Sequence, residues 1–321
     1  MQVLVTGAAG FIGSHVTEAL LGRGDEVVGL DNLNDYYDPA RKRRTLAEIQ
    51  EGAASPDRFR FVEGDVRDRT LIDELFAASS FDAVAHLAAM PGVRASLDNP
   101  ALYVDINLNG TIVLLEAARN LTTPPNFVFA STSSVYGETK VIPFVETDPC
   151  DRPLAPYPAS KRAAELLGFT YHHIYGMDFT AVRFFTVYGP RNRPDMMAYK
   201  LADNIVRKTE LALYNDGQMY RDWTFVEDIT SGVVAAIDRR LGYEIVNLGR
   251  GEPTLLADFV ALVEKRLGKD STLKPEPMPA ADMSNTYADI SKARELLDYR
   301  PVVSVPEGID ALLDWYLKTE V

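Results

Sequence analysis

Six short apolar runs alternating with amphipathic segments constrain this 321-residue chain more than any other feature. The runs are QVLVTG (2–7), EVVGLD (26–31), FRFVEGD (59–65), AVAHLA (83–88), NFVFAST (126–132) and TAVRFF (180–185). Each has the length of a buried strand, whereas SHVTEALLGRG, LIDELFAAS and NGTIVLLEAARNL between them carry helical spacing. Strands and helices in strict alternation specify an α/β fold, a doubly wound parallel sheet covered on both faces.

Beyond about Phe185 the pattern loosens, and Pro190, Pro194, Pro253, Pro275, Pro277, Pro279, Pro301 and Pro306 punctuate shorter helices. We therefore expect a sheet domain over residues 1–185 and a smaller lobe over 186–321, lying on the carboxyl edge of the sheet. YEIVNLG (243–249) reads as a strand that returns to the main sheet and interleaves the two. A hydrophobic share of 46% supports one large core or two joined ones.

The net charge of -13 disfavours a nucleic-acid partner, which needs a surplus of Lys and Arg on some face. The one basic run, Arg41 to Arg44, reads as the solvated face of a helix beginning near Pro39. Cys150 is alone, so neither a disulfide nor a thiolate metal site is expected, and a reducing compartment suits it. His15, His86, His172 and His173 show no ligand spacing. No charged leader segment precedes the first strand, and no apolar stretch reads as near the roughly 18 residues that cross a bilayer. The expectation is a soluble, cytoplasmic protein with no membrane partner.

The first strand runs into VTGAAGFIGSH, which places Gly7, Gly10 and Gly13 at the mouth of a helix. Glycines there permit a tight turn and close approach of a pyrophosphate, whose charge the helix N-terminus stabilises. Asp31 ends the second strand, at the spacing where a carboxylate accepts from the adenosine ribose hydroxyls and repels a 2′-phosphate. The sheet is thus Rossmann-type, and the expected cofactor is NAD. Asp65 and Val66, ending the third strand, are candidates for an adenine clamp, although an acid there also serves as a helix N-cap.

A second constellation lies in YPASKRAAELLGFTYHHIYG. Tyr157 and Lys161 are four residues apart on one helix face. An ammonium near a phenol, together with a nicotinamide cation, favours the phenolate, so Tyr157 gains the character of a base near neutral pH.

Gly7, Gly10, Gly13, Asp31, Asn107 in DINLNGT, the hydroxyl cluster of FASTSSVYG, Tyr157 and Lys161 stand in the order of extended short-chain dehydrogenases/reductases acting on nucleotide sugars. Within that family GLDNLNDYYDPARKRR, HLAAMPGVRASLDNP and RFFTVYGPRNRPDMM most resemble UDP-glucuronate 4-epimerases. The resemblance implies NAD held by Gly7, Gly10, Phe11, Ile12, Gly13, Asp31, Asn32, Asp65, Val66, Leu87, Ala88, Ala89, Asn107, Tyr157 and Lys161. It also implies a homodimer through the helices bearing NGTIVLLEAARNL and AAELLGFTYHHIY.

The same resemblance makes Thr132 the hydroxyl that holds the sugar O4 against Tyr157, with Lys161 completing the catalytic set. The next two positions separate the chemistries. Dehydratases resemble TDEVYG and UDP-glucuronate decarboxylases TSEVYG, whereas this chain reads TSSVYG, with Ser133 and Ser134 and no acid. The residues alone also allow these serines to cap the strand end. An epimerase fits: UDP-glucuronate and UDP-galacturonate interconvert through a 4-keto sugar. Thr186 and Arg193 match positions that bind the sugar carboxylate, with Arg94 and Arg191 competing for that role. Arg221 matches a phosphate contact, and the backbone near Leu213 and Tyr214 a uracil contact. Met90, Pro91, Ala280 and Ala281 depart from the family pattern. The rival readings are a UDP-glucose/UDP-galactose 4-epimerase, which would not need Arg193, and a non-catalytic NAD-binding regulator, which would not need Tyr157 and Lys161.

Overall fold

The computed structural model describes residues 1–52, 56–279 and 281–321, so Ala280 lies outside the described residues. Each apolar run becomes a strand: β1 (Gln2–Thr6), β2 (Glu26–Asp31), β3 (Phe59–Glu63), β4 (Ala83–His86), β5 (Asn126–Thr132) and β6 (Phe179–Phe184). The helices between them are α1 (Phe11–Gly22), α2 (Pro39–Gly52), α3 (Arg69–Ala77), α4 (Pro100–Val104), α5 (Gly110–Arg119) and α6 (Pro156–Tyr175). A π-helical turn, Asp105–Asn109, joins α4 to α5.

In the lobe, β7 (Thr186–Tyr188), α7 (Met197–Arg207), β8 (Leu211–Tyr214), β9 (Tyr220–Phe225) and α8 (Val226–Ile237) precede β10 (Tyr243–Leu248). After it come β11 (Pro253–Leu255), α9 (Leu256–Leu267), β12 (Leu273–Glu276), β13 (Asn285–Thr286), α10 (Ser291–Leu297) and α11 (Val305–Thr319).

The main sheet has seven strands in the order β10-β6-β5-β4-β1-β2-β3, all parallel. The order reverses direction between β1 and β4, and in such sheets the crevice at the carboxyl ends of that pair receives the ligand. The return strand is β10, registered on β6 from Tyr243↔Phe179 to Leu248↔Phe184. β5 is buried along its whole length, as a central strand covered on both faces must be. In the lobe β9 pairs with β7, β11 and β13, and Trp223 of β9 stacks on Phe259 at 3.9 Å between centroids. The interleaving goes further than one strand: Asn126 at the start of β5 donates to the carbonyls of Ala236 and Ile237 at the end of α8, both at 2.9 Å.

Two expectations need correction. The run Arg41 to Arg44 is not a solvated face. Lys42 is buried against Asp31, and Arg41 and Arg44 both pair with Glu320, leaving Arg43 as the solvated member. Nor is membrane-spanning length absent, since Pro100–Arg119 runs 20 residues in helical form with mean hydropathy 1.2. That helix carries Asp105, Asn107 and Glu116, each hydrogen-bonded to another part of the protein.

Behind the sheet edge Arg183 of β6 donates through Nε and Nη2 to the two oxygens of Glu165 on α6, at 2.9 and 2.8 Å. Neither side chain has any exposure. Removing one partner of such a pair strands a charge in a medium that solvates it poorly. Arg183→Met should lower unfolding free energy by about 3–5 kcal/mol, measured by urea denaturation. Adding Glu165→Met should recover part of that loss, which distinguishes a stranded charge from lost packing.

Candidate active site

One cavity of about 400 Å³ opens over the switch point of the sheet. The turn between β1 and α1 forms its floor. Gly7 has φ +73°, and a Cβ at Gly13 would overlap the Gly7 carbonyl oxygen, so the turn closes only with glycine at both positions. Gly10 gives no side-chain cap, and the first amide bonded into the helix is that of Ser14, to the Gly10 carbonyl at 3.0 Å. The amides of the first turn, around Phe11, Ile12 and Gly13, are left as free donors at the positive end of the helix dipole.

Of the expected cofactor residues, Gly7, Gly10, Phe11, Ile12, Gly13, Asp31, Asn32, Asp65, Val66, Leu87, Ala88, Ala89, Tyr157 and Lys161 all line this cavity. Asp31 is fixed by the amides of Ala9 and Leu33 and by Lys42 Nζ at 3.3 Å. Asp65 accepts from Arg67 and from Asn32 at 2.9 Å, and the Arg67 hydrogen bonds hold its carboxyl down at about 2. It does not cap α3, which Asp68 does. Asn107 is the exception. The π-helical turn buries it completely, and its amide bonds Met90 and Ser160 instead of facing the cavity. It therefore ties the loop after β4 to α6 and positions the catalytic helix.

Thr132, at the end of β5, accepts from the Ser134 amide at 3.2 Å. Its own proton is thereby free to be donated toward Tyr157. The side chain that caps this strand end is thus Thr132, where the sequence offers Ser133 and Ser134 for that role. Burial raises the Tyr157 pKa, while the Thr132 hydroxyl and the Arg193 charge oppose the rise. Lys161 is 1% exposed, its Nζ has no hydrogen-bond partner, and it lies 4.3 Å over the Phe129 ring. Desolvation lowers it to about 7, against a smaller opposing pull from Glu165. An unpartnered buried ammonium lining the cavity, with a row of free helix amides across from it, fits a dinucleotide with a ribose diol and a pyrophosphate.

Ser133, Ser134, Thr186 and Arg193 line the same cavity as Tyr157, and the Arg193 charge acts on the Tyr157 phenol. The three competing arginines separate cleanly. Arg193 stands in the cavity and is held by Asp195 at 2.9 and 3.0 Å. Arg191 is bound by Glu18 and Glu48 behind the glycine turn, outside the cavity. Arg94 reaches Asp282 at 2.6 Å and covers the Tyr214 ring at 4.1 Å. Arg94, Tyr214 and Asp282 form a second group with Arg221, whose Nη1 donates to the carbonyls of Tyr220 and Ser284. Leu213 sits on β8 beside Tyr214, and none of these residues is among those that line the cavity.

Lys42 and Tyr36 line the cavity and were missed in the sequence. A signal for Lys42 existed: it shares the buried stripe of α2 with Thr45 and Ile49, at helical spacing.

Below about pH 7 Lys161 is charged in folded and unfolded chains alike, and the folded state bears the full cost of burying it. From there up to about 10.4 only the unfolded chain holds the proton, so stability rises with pH. In the dinucleotide-free protein, Lys161→Met should raise the urea midpoint at about pH 6, and the gain should shrink toward about pH 10. An equal gain at both would show that the lysine charge carries no such cost.

The pattern of the NAD dependent epimerase/dehydratase family matches residues 3–249. The chain is 42% identical to the UDP-glucuronate 4-epimerase of Thermodesulfobacterium geofontis over 313 residues, 97% of this chain and 95% of that one. Its fold matches UDP-glucuronic acid 4-epimerase from Bacillus cereus, solved with UDP-glucuronic acid and NAD, with TM-score 0.90, 36% identity and 99% of each chain covered. It also matches UDP-glucose 4-epimerase from Thermotoga maritima, solved with UDP-glucose, with TM-score 0.89, 30% identity and full coverage of both chains.

Proposed function

Because the chain belongs to the NAD dependent epimerase/dehydratase family, we propose that it interconverts UDP-glucuronate and UDP-galacturonate by NAD-dependent inversion at C4. The observation that carries this reading is Arg193, which lines the cavity with Tyr157, Thr132 and Thr186, close enough for its charge to act on the Tyr157 phenol. A uronate offers the guanidinium edge left free by Asp195 a bidentate partner, which a neutral hexose does not.

Bound NAD supplies the acceptor for the C4 hydride and then its donor. Tyr157 takes the O4 proton as the hydride leaves and returns it when the hydride comes back. Thr132 donates to the Tyr157 phenolate that accepts this proton, and aligns O4. Lys161 meets the ribose hydroxyls beside it, which gives its ammonium the partners that it otherwise lacks. Thr186, Ser133, Ser134 and Arg193 orient the carboxylate, and Arg221, Arg94 and the strand at Leu213 and Tyr214 hold the nucleotide while the 4-keto sugar turns over. The product should be identified by NMR after incubation with UDP-glucuronate. Tyr157→Phe should cut kcat by about 10² to 10⁴, the worth of a positioned acid–base group, while dissociation constants for NAD and UDP-sugar stay nearly unchanged.

The outer face of α6 leaves Leu166, Phe169, Ile174 and Tyr175 exposed, and Val104 of α4 is exposed as well. Exposed apolar side chains on these helices favour a partner surface, and a second copy supplies the same surface by two-fold symmetry. We read the protein as a cytosolic homodimer through α5 and α6, a setting that the lone buried Cys150 suits. Light scattering at micromolar concentration should give twice the chain mass, and a monomer mass would remove the interface.

A further inference from the structure

Arg193 is gripped on one edge only. Its Nε and Nη2 donate to the two oxygens of Asp195, at 2.9 and 3.0 Å, which leaves the Nη1 side and the second Nη2 proton unused. Asp195 is itself held from another element. Tyr36, in the loop after β2, donates through Oη to Asp195 Oδ2 at 3.3 Å and lines the same cavity. That contact is close packed, since a side chain on Gly92 would run into Tyr36 Oη at 2.7 Å. Arg193 also holds the Asp195 carboxyl below its usual range despite burial, so the acid remains ionised at neutral pH.

We propose that Asp195, steadied by Tyr36, is the positioning residue that aims the free edge of Arg193 at the C5 carboxylate of the sugar. The inference rests on the reading of the substrate as a uronate. A guanidinium has freely turning bonds back to its Cα, and a bidentate acid on one edge removes that freedom before substrate arrives. The direction of the carboxylate matters because oxidation at C4 makes a β-keto acid. Such an acid loses CO₂ when the C5–C6 bond stands perpendicular to the C4 carbonyl plane. The bond pair then passes into the carbonyl as an enolate, which takes a proton from water. A fixed guanidinium holds the C5–C6 bond away from that overlap while the ring turns.

Asp195 has a second effect of opposite sign. It neutralises Arg193, so the substrate carboxylate meets a nearly neutral pair instead of a bare cation. Removing the acid should therefore tighten the grip and loosen the aim at once. Fidelity and affinity then move apart, which simple damage to the site would not produce.

The test is the partition between the C4 epimer and the decarboxylated 4-keto pentose, read by mass spectrometry of the UDP-sugars, with KM for UDP-glucuronate measured alongside. The partition is a ratio of products and does not depend on how much enzyme is folded. For Asp195→Ala we expect the decarboxylated share to rise at least about tenfold with KM unchanged or lower. Tyr36→Phe removes only the steadying hydroxyl, and should move the partition in the same direction by a smaller factor. An Asp195→Ala enzyme that turns over with the parent's partition overturns the assignment, whatever its kcat. A parent that makes no epimer from UDP-glucuronate overturns the functional reading, and this inference with it.

Discussion

The carboxylate of Glu165 joins the parts on which the site depends. It is fully buried and accepts four hydrogen bonds, two from Arg183 of β6, one from Arg162 one turn back on α6 and one from Ser131 near the end of β5. A buried acid needs that many donors to remain ionised. Ser131 directly precedes Thr132, and Lys161 lies one turn before Glu165. The network therefore fixes the end of β5 relative to the helix that carries Tyr157 and Lys161. The backbone carbonyl of Glu165 also accepts from Tyr243 of β10 at 3.1 Å, which ties in the return strand.

Saturation of Glu165 has a consequence for its neighbour. Both oxygens already hold two donors each, so Lys161 finds no acceptor there and feels only the field of the acid. In most proteins a lysine with no exposure and no partner is a defect. Here its donors are kept unspent by the same ion pairs that hold the helix in place, as the proposed ribose contact requires. Stability and readiness for a ligand thus come from one arrangement, with the charge balanced at Glu165 and left unbalanced at Lys161.

The main sheet was legible because strand length, helical spacing and glycine placement are local properties, and all seven parallel strands, including the late return at Tyr243–Leu248, follow from them. The cavity was legible through the glycine turn, Asp31 and the pair Tyr157 and Lys161. What escaped depended on long-range partners. The run Arg41 to Arg44 reads as solvated by composition, yet its neighbours are Asp31, 11 residues away from Lys42, and Glu320 near the chain end. Asn107 stands where a cofactor contact was expected, but a π-helical turn rotates it onto Met90 and Ser160. Likewise, three arginines in a row of motifs look equivalent until the fold sends Arg191 behind the glycine turn and Arg94 to the lobe.

The cavity's own inventory of protons limits the chemistry further. Among the described residues that line it, the carboxylates are Asp31 and Asp65, both at the end where the adenosine would lie. Around Tyr157 the titratable lining groups are Lys161, Arg193 and, joined to Arg193 through Asp195, Tyr36, and the positions after Thr132 are two serines. Asp195 is close by, but its charge is committed to Arg193. One phenol can carry a proton off O4 and bring it back. Expelling a hydroxyl from a neighbouring carbon calls for a separate acid, and among the described lining residues no carboxyl group stands beside Thr132 to supply it. Inversion at C4, which removes and returns one proton at one oxygen, is the reaction that a single tyrosine can complete.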